Sequence, residues 1–335
     1  MRERSFEYYG GLSIIFSGDL RQLEPVGKGK NPVYQDDCPE FKDWINSYIE
    51  LNGKHRFKDD AEWGELLFRF RDGNVTKQDI DLINERIVNY TTELPDNLRY
   101  ATYFNRDRDA INAGLFEKRC REHFARYGNL DDSVIVFSDN LQRQNGSKVY
   151  EKLKDRNGFW NNCGENDIEF SSGRGRMDPM LRLYEGLRVM LPTNNNVTLG
   201  QANGTQAFVR RLVLKPGQQF QQTMLNGDLP IRAVFASQID FLELEHVSDR
   251  IQPSRFTLKP KEFRFRAKIL KPAVFRLKDN EREKIRMKAT QLPIVVNNAT
   301  TGHKLQGAGV DILFVHNWSY VTNWVYVMLS RVRTL

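Results

Sequence analysis

The chain has 335 residues, enough for two domains, and 40% of them are hydrophobic against 28% charged. Its mean hydropathy of −0.59, the lack of any run of about 18 apolar residues and an N-terminus (Met1-Arg2-Glu3-Arg4-Ser5-Phe6-Glu7) without an apolar stretch argue against a membrane-spanning or secreted protein. Cys38, Cys120 and Cys163 form no C-x-x-C pair, which argues against a disulfide framework or a zinc site and for a reducing compartment, nucleus or cytoplasm.

The pattern predicts a buried strand over residues 12–16, after Gly10-Gly11. A short helix follows over 61–70. Thr76 with Asp79 three residues on marks a second helix start, continued by Ile80, Ile83 and Ile87 at helical spacing. A strand over 101–104 leads into a helix opened by Asn105, with Ile111, Leu115 and Phe124 turned inward. Further strands are expected over 134–137, 187–191, 293–296 and 311–315, and a helix from about Asn323. Residues 140–180, rich in Asn, Gly and Arg, read as an irregular excursion. Strands alternating with helices imply one mostly parallel α/β sheet.

Residues from about 204 to 276 break that rhythm with short alternating strands, which suggests a small β-barrel over 205–275. The clearest period-2 run is Phe263-Arg264-Phe265-Arg266-Ala267-Lys268-Ile269. Alternation puts Arg264, Arg266 and Lys268 on one face and the apolar residues on the other. The net charge is +7, and residues 250–288 hold fourteen Lys and Arg against four Asp and Glu. One basic segment on a near-neutral body is the footprint of a polyanion site, or, more plainly, a solvated face.

Three blocks carry chemistry. Gly18-Asp19-Leu20-Arg21-Gln22-Leu23 follows an apolar strand. Glycine permits a tight turn there, and the Gln22 amide can donate to a phosphate oxygen and accept from water. The same block also reads as a structural turn capped by Asp19. Thr301-Gly302-His303-Lys304-Leu305-Gln306-Gly307 and Tyr326-Val327-Met328-Leu329-Ser330-Arg331 lie near the other end. By itself His303 reads as structural and Arg331 as a helix C-terminal cation. No G-x-x-x-x-G-K-[ST] is present. Gly27-Lys28-Gly29-Lys30-Asn31 lacks its spacing and its hydroxyl residue.

Taken together and in this order, the blocks resemble motifs III, V and VI of the Pif-like (RecD-related) superfamily-one DNA helicases, in the flavour found in Helitron-type mobile elements. Leu51-x-x-x-His55-Arg56-Phe57 resembles the motif IV region, residues 102–105 with Asn112 the opening of the second RecA-like domain, and Gly186-x-Arg188 through Thr205 the segment leading to an SH3-like insertion. The resemblance implies a remnant of a first RecA-like domain over 1–50. A second RecA-like domain would follow over 51–335, with the SH3-like β-barrel inserted at 205–275. It implies catalytic roles for Gln22, Arg56 and Arg331, since an always-charged guanidinium forks onto phosphate oxygens. Gly18, Asp19, Gln306 and Gly307 would sense the nucleotide. Thr301, His303 and Lys304 would bind nucleic acid beside Arg264, Arg266 and Lys268, the motif V loop offering a helix N-terminus to a phosphate. Two departures stand out: Gly302 replaces a usual apolar residue, expected to loosen the strand end, and Leu305 replaces a usual serine.

The family uses ATP and Mg²⁺, but the phosphate loop and the metal-binding acidic pair are not in this sequence, and no metal site is expected. The expected product is the motif III–VI portion of a DNA helicase, inactive by itself. Its partners would be single-stranded DNA and the missing N-terminal portion. A non-hydrolytic nucleic-acid-binding module and a decayed mobile-element product are the rival readings.

Overall fold

The computed structural model describes residues 10–24, 45–51, 55–89, 92–95, 98–129, 132–143, 148–155, 159–160, 168–170, 177–248, 251–269, 283–306, 308–319 and 321–335. It divides into two compact units, Met1–Arg108 with Thr300–Leu335, and Asp109–Ala299.

In chain order, helices α1 (Ala61–Asp72) and α2 (Lys77–Asn84) precede strand β1 (Arg99–Thr102) and helix α3 (Asn105–Tyr127). Strands β2 (Val134–Phe137), β3 (Asp139–Arg143), β4 (Glu151–Lys152), β5 (Ile168–Phe170), β6 (Met180–Leu183) and β7 (Arg188–Met190) follow. Next are β8 (Gln206–Leu214), β9 (Gln221–Leu225), β10 (Leu229–Phe235), β11 (Ile239–His246), β12 (Arg255–Leu258), β13 (Lys261–Ile269) and β14 (Glu283–Gln291). The chain closes with β15 (Val295–Val296), β16 (Ala299–Thr301), helix α4 (Gly302–Leu305), β17 (Leu313–Val315) and helix α5 (Trp324–Leu329). None of the described helices is long and apolar enough to cross a membrane.

In the first unit, Asp60 caps α1 by accepting from the Trp63 amide at 2.9 Å, and Gly73, at φ 78°, ends the helix in the left-handed conformation that glycine adopts without strain. Trp63, Leu66 and Leu67 are buried against Phe57, Leu329 and Val332. The Thr76–Asp79 capping box forms as expected. Asp79 also receives the fork of Arg69, at 2.9 Å from Nε and 2.5 Å from Nη2. The helix stops at Asn84. Ile80 and Ile87 are exposed, so the isoleucine stripe is not a core face and only Ile83 joins the packing. β1 lies between β16 and β17, and its pairing with β17 is parallel.

The strand expected over 12–16 is not formed. Leu12, Ile14, Ile15 and Phe16 are all exposed, Ile15 at 93%. A strand needs neighbours for its backbone donors and acceptors, and no strand pairs with these residues among those described. What anchors this end of the chain is Leu23, buried with Ala101, Leu305, Trp324, Val327 and Met328.

The second unit is built in layers. β6-β2-β10-β9 form one sheet, with β2 and β10 parallel, and β12-β11-β8-β7-β15 form another. The apolar run Val134-Ile135-Val136 is buried on both faces. Val134 and Val136 join Leu181, Val209, Leu242 and Leu258 in the core shared by the two sheets. Ile135 turns to the other side with Ile231, Phe116 and Cys120, which are contributed by β10 and α3. The buried face of α3 is therefore Phe116 and Cys120 rather than Ile111, Leu115 and Phe124, of which Phe124 is 38% exposed.

A third sheet, β4-β3-β14-β13-β5, is antiparallel and has its own core of Phe263, Phe265, Ala267, Ile285, Met287 and Ala289, with Phe159 and Met177. Two expectations change here. The strands near 101–104, 134–137, 187–191, 293–296 and 311–315 do not share one sheet but divide among three. The strands of 205–275 likewise distribute over three sheets, β13 leaving β8–β12 to pair with β14 and β5. The second difference has a local cause. The segment 139–170, read as irregular, supplies strands β3, β4 and β5, whose pairing draws β13 and β14 into a separate sheet.

Candidate functional site

The Gly18–Gln22 block is a turn stapled by its own carboxylate. The Arg21 amide donates to Asp19 Oδ1 at 2.9 Å, the Gln22 amide to the Asp19 carbonyl at 3.2 Å, and Gln22 Nε2 to Asp19 Oδ2 at 3.3 Å. Such local bonds are what an Asx turn offers a chain leaving regular structure. Gln22 Oε1 accepts from Gln306 Nε2 at 2.7 Å, and the Gln22 carbonyl accepts from Asn323 Nδ2 at 3.1 Å. Asn323 stands at φ 64°, a left-handed conformation that asparagine tolerates. Two residues far along the chain therefore close on Gln22. Gly18 is exposed, and its missing Cβ would meet nothing within 4 Å.

Gln306 follows the single-turn helix α4, entered from β16 through Thr301, whose side chain makes no capping bond. Gly302 does not loosen this junction. A Cβ there would lie 2.5 Å from two ring carbons of Trp324 and 2.7 Å from Met328 Cε, so the glycine is what lets α5 approach. Leu305 is buried in the same core, which gives a packing reason for an apolar residue where a hydroxyl was the alternative. His303 is half-buried with its ring 6.3 Å from that of Trp324, and burial holds its pKa below the usual imidazole value. Lys304 is exposed. Gly307 lies outside the described residues.

Arg56 and Arg331 meet at the C-terminal end of α5. Arg331 is only 3% exposed and donates from Nε to the Val327 carbonyl at 2.8 Å, from Nη1 to Leu305 and Ala308 carbonyls at 3.3 and 3.4 Å, and from Nη2 to Ser330 Oγ at 2.7 Å. Arg56 Nη1 donates to the Ser330 carbonyl at 3.0 Å. Free carbonyls at a helix end attract cations, so the bonds Arg331 makes are those of a helix C-terminal cation. Burial, then the charge of Arg56, lowers its pKa to about 10, which leaves it charged at neutral pH. The Tyr326 hydroxyl lies among Asp19, Arg71, Arg331 and Arg56, and burial raises its pKa. Gln22 and Gln306 thus meet at the start of α5, beside Asn323, and Arg56 and Arg331 at its far end.

Sequence reasoning gave no site role to Asn323 or Tyr326. Asn323 ties the turn to α5, and Tyr326 lies near Asp19 of that turn. In the second unit Asn112 clasps Ala299, donating from Nδ2 to its carbonyl at 3.1 Å and accepting its amide on Oδ1 at 2.8 Å. The signal for Asn323 was visible as an asparagine directly before an apolar helix.

These residues do not by themselves suit a nucleotide with its metal. The guanidinium of Arg331 is committed to protein acceptors, the sequence has no phosphate loop, and no group of three potential metal ligands occurs among the described residues.

The second unit carries the basic strand. Arg264 and Arg266 are exposed and Lys268 half-buried, opposite the buried Phe263, Phe265 and Ala267, as alternation requires. Arg264 pairs with Glu262 at 2.7 Å and Lys268 with Glu169 at 3.5 Å.

No family model matches the chain. It is 26% identical over 223 residues to the ATP-dependent DNA helicase PIF1 of Danio rerio, covering 64% of this chain and 28% of that protein. Its fold matches the crystal structure of Pif1 helicase from Candida albicans at TM-score 0.59 and 17% identity, over 98% of this chain and 64% of that one. It also matches Pif1 helicase from Bacteroides in complex with ADP-AlF3 and single-stranded DNA, at TM-score 0.53 and 20% identity over 97% of this chain and 61% of that one. The chain spans well under a third of the curated relative and about three-fifths of each solved chain. The chain is similar, at low identity, to Pif1-family ATP-dependent DNA helicases.

Proposed function

We propose that the chain provides the motif III–VI portion of a Pif1-type helicase of the Helitron flavour, working on single-stranded DNA, and that these 335 residues do not hydrolyse ATP by themselves. The observation that carries the reading is the placement along the short helix α5, from segments hundreds of residues apart, of Gln22 and Gln306 at its start and of Arg56 and Arg331 at its end. A merely structural turn does not call for two glutamines and two arginines at the ends of one short helix. Phosphoryl transfer in this family requires a phosphate cradle and a metal, and turnover therefore waits on a cradle from further sequence or another chain. The Bacteroides structure, solved with single-stranded DNA and ADP-AlF3, supports DNA as the partner and a nucleotide as the cofactor of the assembled motor.

The test is fluorescence anisotropy with a labelled single-stranded oligonucleotide at several salt concentrations. If three to five phosphates are neutralised, the log–log slope is roughly −2 to −3.5. Lys304→Ser weakens binding under the motif V assignment. Binding indifferent to salt, or absent, would refute the reading.

A further inference from the structure

The outer face of the third sheet is more sharply organised than its charge count. Arg143 on β3, Arg286 on β14 and Arg266 on β13 stand directly opposite one another across three adjacent strands. Adjacent strands lie about 4.8 Å apart, so the three backbones fall within about 10 Å. One step along, Arg264 stands opposite Lys288. Tyr150 lies among these side chains, with Arg143 at 5.2 Å and Lys288 at 4.7 Å from its ring centre. The opposite face is the buried apolar core, so the basic row points away from it.

The carboxylates nearby are already engaged. Glu262 takes Arg264 at 2.7 Å and Lys288 at 3.5 Å, and Glu169, although opposite Arg266 in register, takes Lys268 at 3.5 Å. Among the described residues no carboxylate lies within ion-pair distance of Arg143, Arg266 or Arg286. Like charges directly opposite one another destabilise a sheet, and among the described residues the row has beside it only Glu169, which is paired with Lys268. A guanidinium row of this kind is matched by phosphates, which accept its forked donors.

We propose that Arg143, Arg286 and Arg266 form the phosphate-binding row for a single nucleic-acid strand, and that Arg264 and Lys268, held by their carboxylates, contribute less. The proposal rests on the reading of the chain as a nucleic-acid-binding helicase portion.

The experiment is the same anisotropy titration, comparing wild type with Arg143→Ser/Arg266→Ser/Arg286→Ser, with Arg264→Ser/Lys268→Ser and with Lys304→Ser. Loss of three contacts at about 0.7 each flattens the log–log slope by about 2, or roughly 100-fold in affinity at 0.1 M salt if both proteins bind alike at 1 M. The Arg264/Lys268 variant loses less than half as much. The melting temperature of the triple variant equals or exceeds that of wild type, because a like-charge row has been removed. A triple variant with wild-type slope, while Lys304→Ser weakens binding, overturns the row and leaves the helicase reading standing. Salt-independent binding by wild type overturns both. Polyglutamate competing as well as the oligonucleotide overturns a nucleic acid as the occupant.

Discussion

Replacing Gly302 by alanine sets two effects against each other. Glycine in a helix is less favourable than alanine by about 0.5–1 kcal/mol, so the exchange would ordinarily stabilise. Here the new methyl would sit 2.5 Å from Trp324 Cη2 and Cζ3 and 2.7 Å from Met328 Cε, and both residues are fully buried. Overpacking of a filled core costs about 1–3 kcal/mol. The overpacking wins, and the net expectation is a loss of about 1–2 kcal/mol, or a melting temperature lower by roughly 3–8 °C for a unit of this size. Gly114→Ala is the control. It lies inside α3 and its added Cβ meets nothing within 4 Å, so it should stabilise by about 0.5–1 kcal/mol. Thermal denaturation followed by near-ultraviolet circular dichroism reads both. If Gly302→Ala raises the melting temperature as Gly114→Ala does, the close approach of α5 to the motif V turn is wrong.

Other outcomes follow from individual contacts. The Arg69 fork, with the Thr76 amide, holds the Asp79 carboxyl well below its usual pKa. A depressed folded pKa gives stability that is present above the unfolded value of about 3.9 and lost as pH falls below it, so Asp79→Asn should flatten the acid limb of a stability–pH curve. His246 is 4% exposed, stacks on Phe256 at 4.5 Å and has no hydrogen-bond partner on either ring nitrogen, and burial lowers its pKa. Its stabilising neutral form is complete above about pH 6.5 and is lost on acidification, so His246→Phe should be the more stable protein at pH 5.5 in urea titrations. Arg331→Met removes a buried guanidinium's bonds to the Val327, Leu305 and Ala308 carbonyls, of which the first two keep the Ser330 hydroxyl and the Ala308 amide, and should cost about 1–3 kcal/mol by chemical denaturation.

Local signals in the sequence translated well where the physics is local. The Thr76–Asp79 capping box, the helix opened at Asn105, the strand at 134–137 and the in–out alternation of 263–268 depend on neighbouring residues and appear as expected. The strand at 12–16 failed because an apolar run states a need for partners without supplying them. The third sheet was missed because β3, β4 and β5 are two to five residues long and separated by polar stretches. β3 and β5 owe their identity to pairing with β14 and β13, and β4 to pairing with β3, rather than to their own pattern. At the site, motif spacing named Gln22, Arg56, Gln306 and Arg331. It did not show which carbonyls Arg331 would hold, that of Val327 in α5 and those of Leu305 and Ala308 outside it, because main-chain acceptors leave no trace in a sequence. The loss of Gly302's expected apolar residue was likewise unreadable without Trp324 beside it.

The most direct test of the account is steady-state ATP turnover by the purified chain, with and without single-stranded DNA. The account predicts no hydrolysis above background in either condition, with salt-dependent DNA binding retained in the same preparation. DNA-stimulated turnover that disappears in the Arg56→Ala variant would contradict it, since the chain would then hold a phosphate cradle of its own.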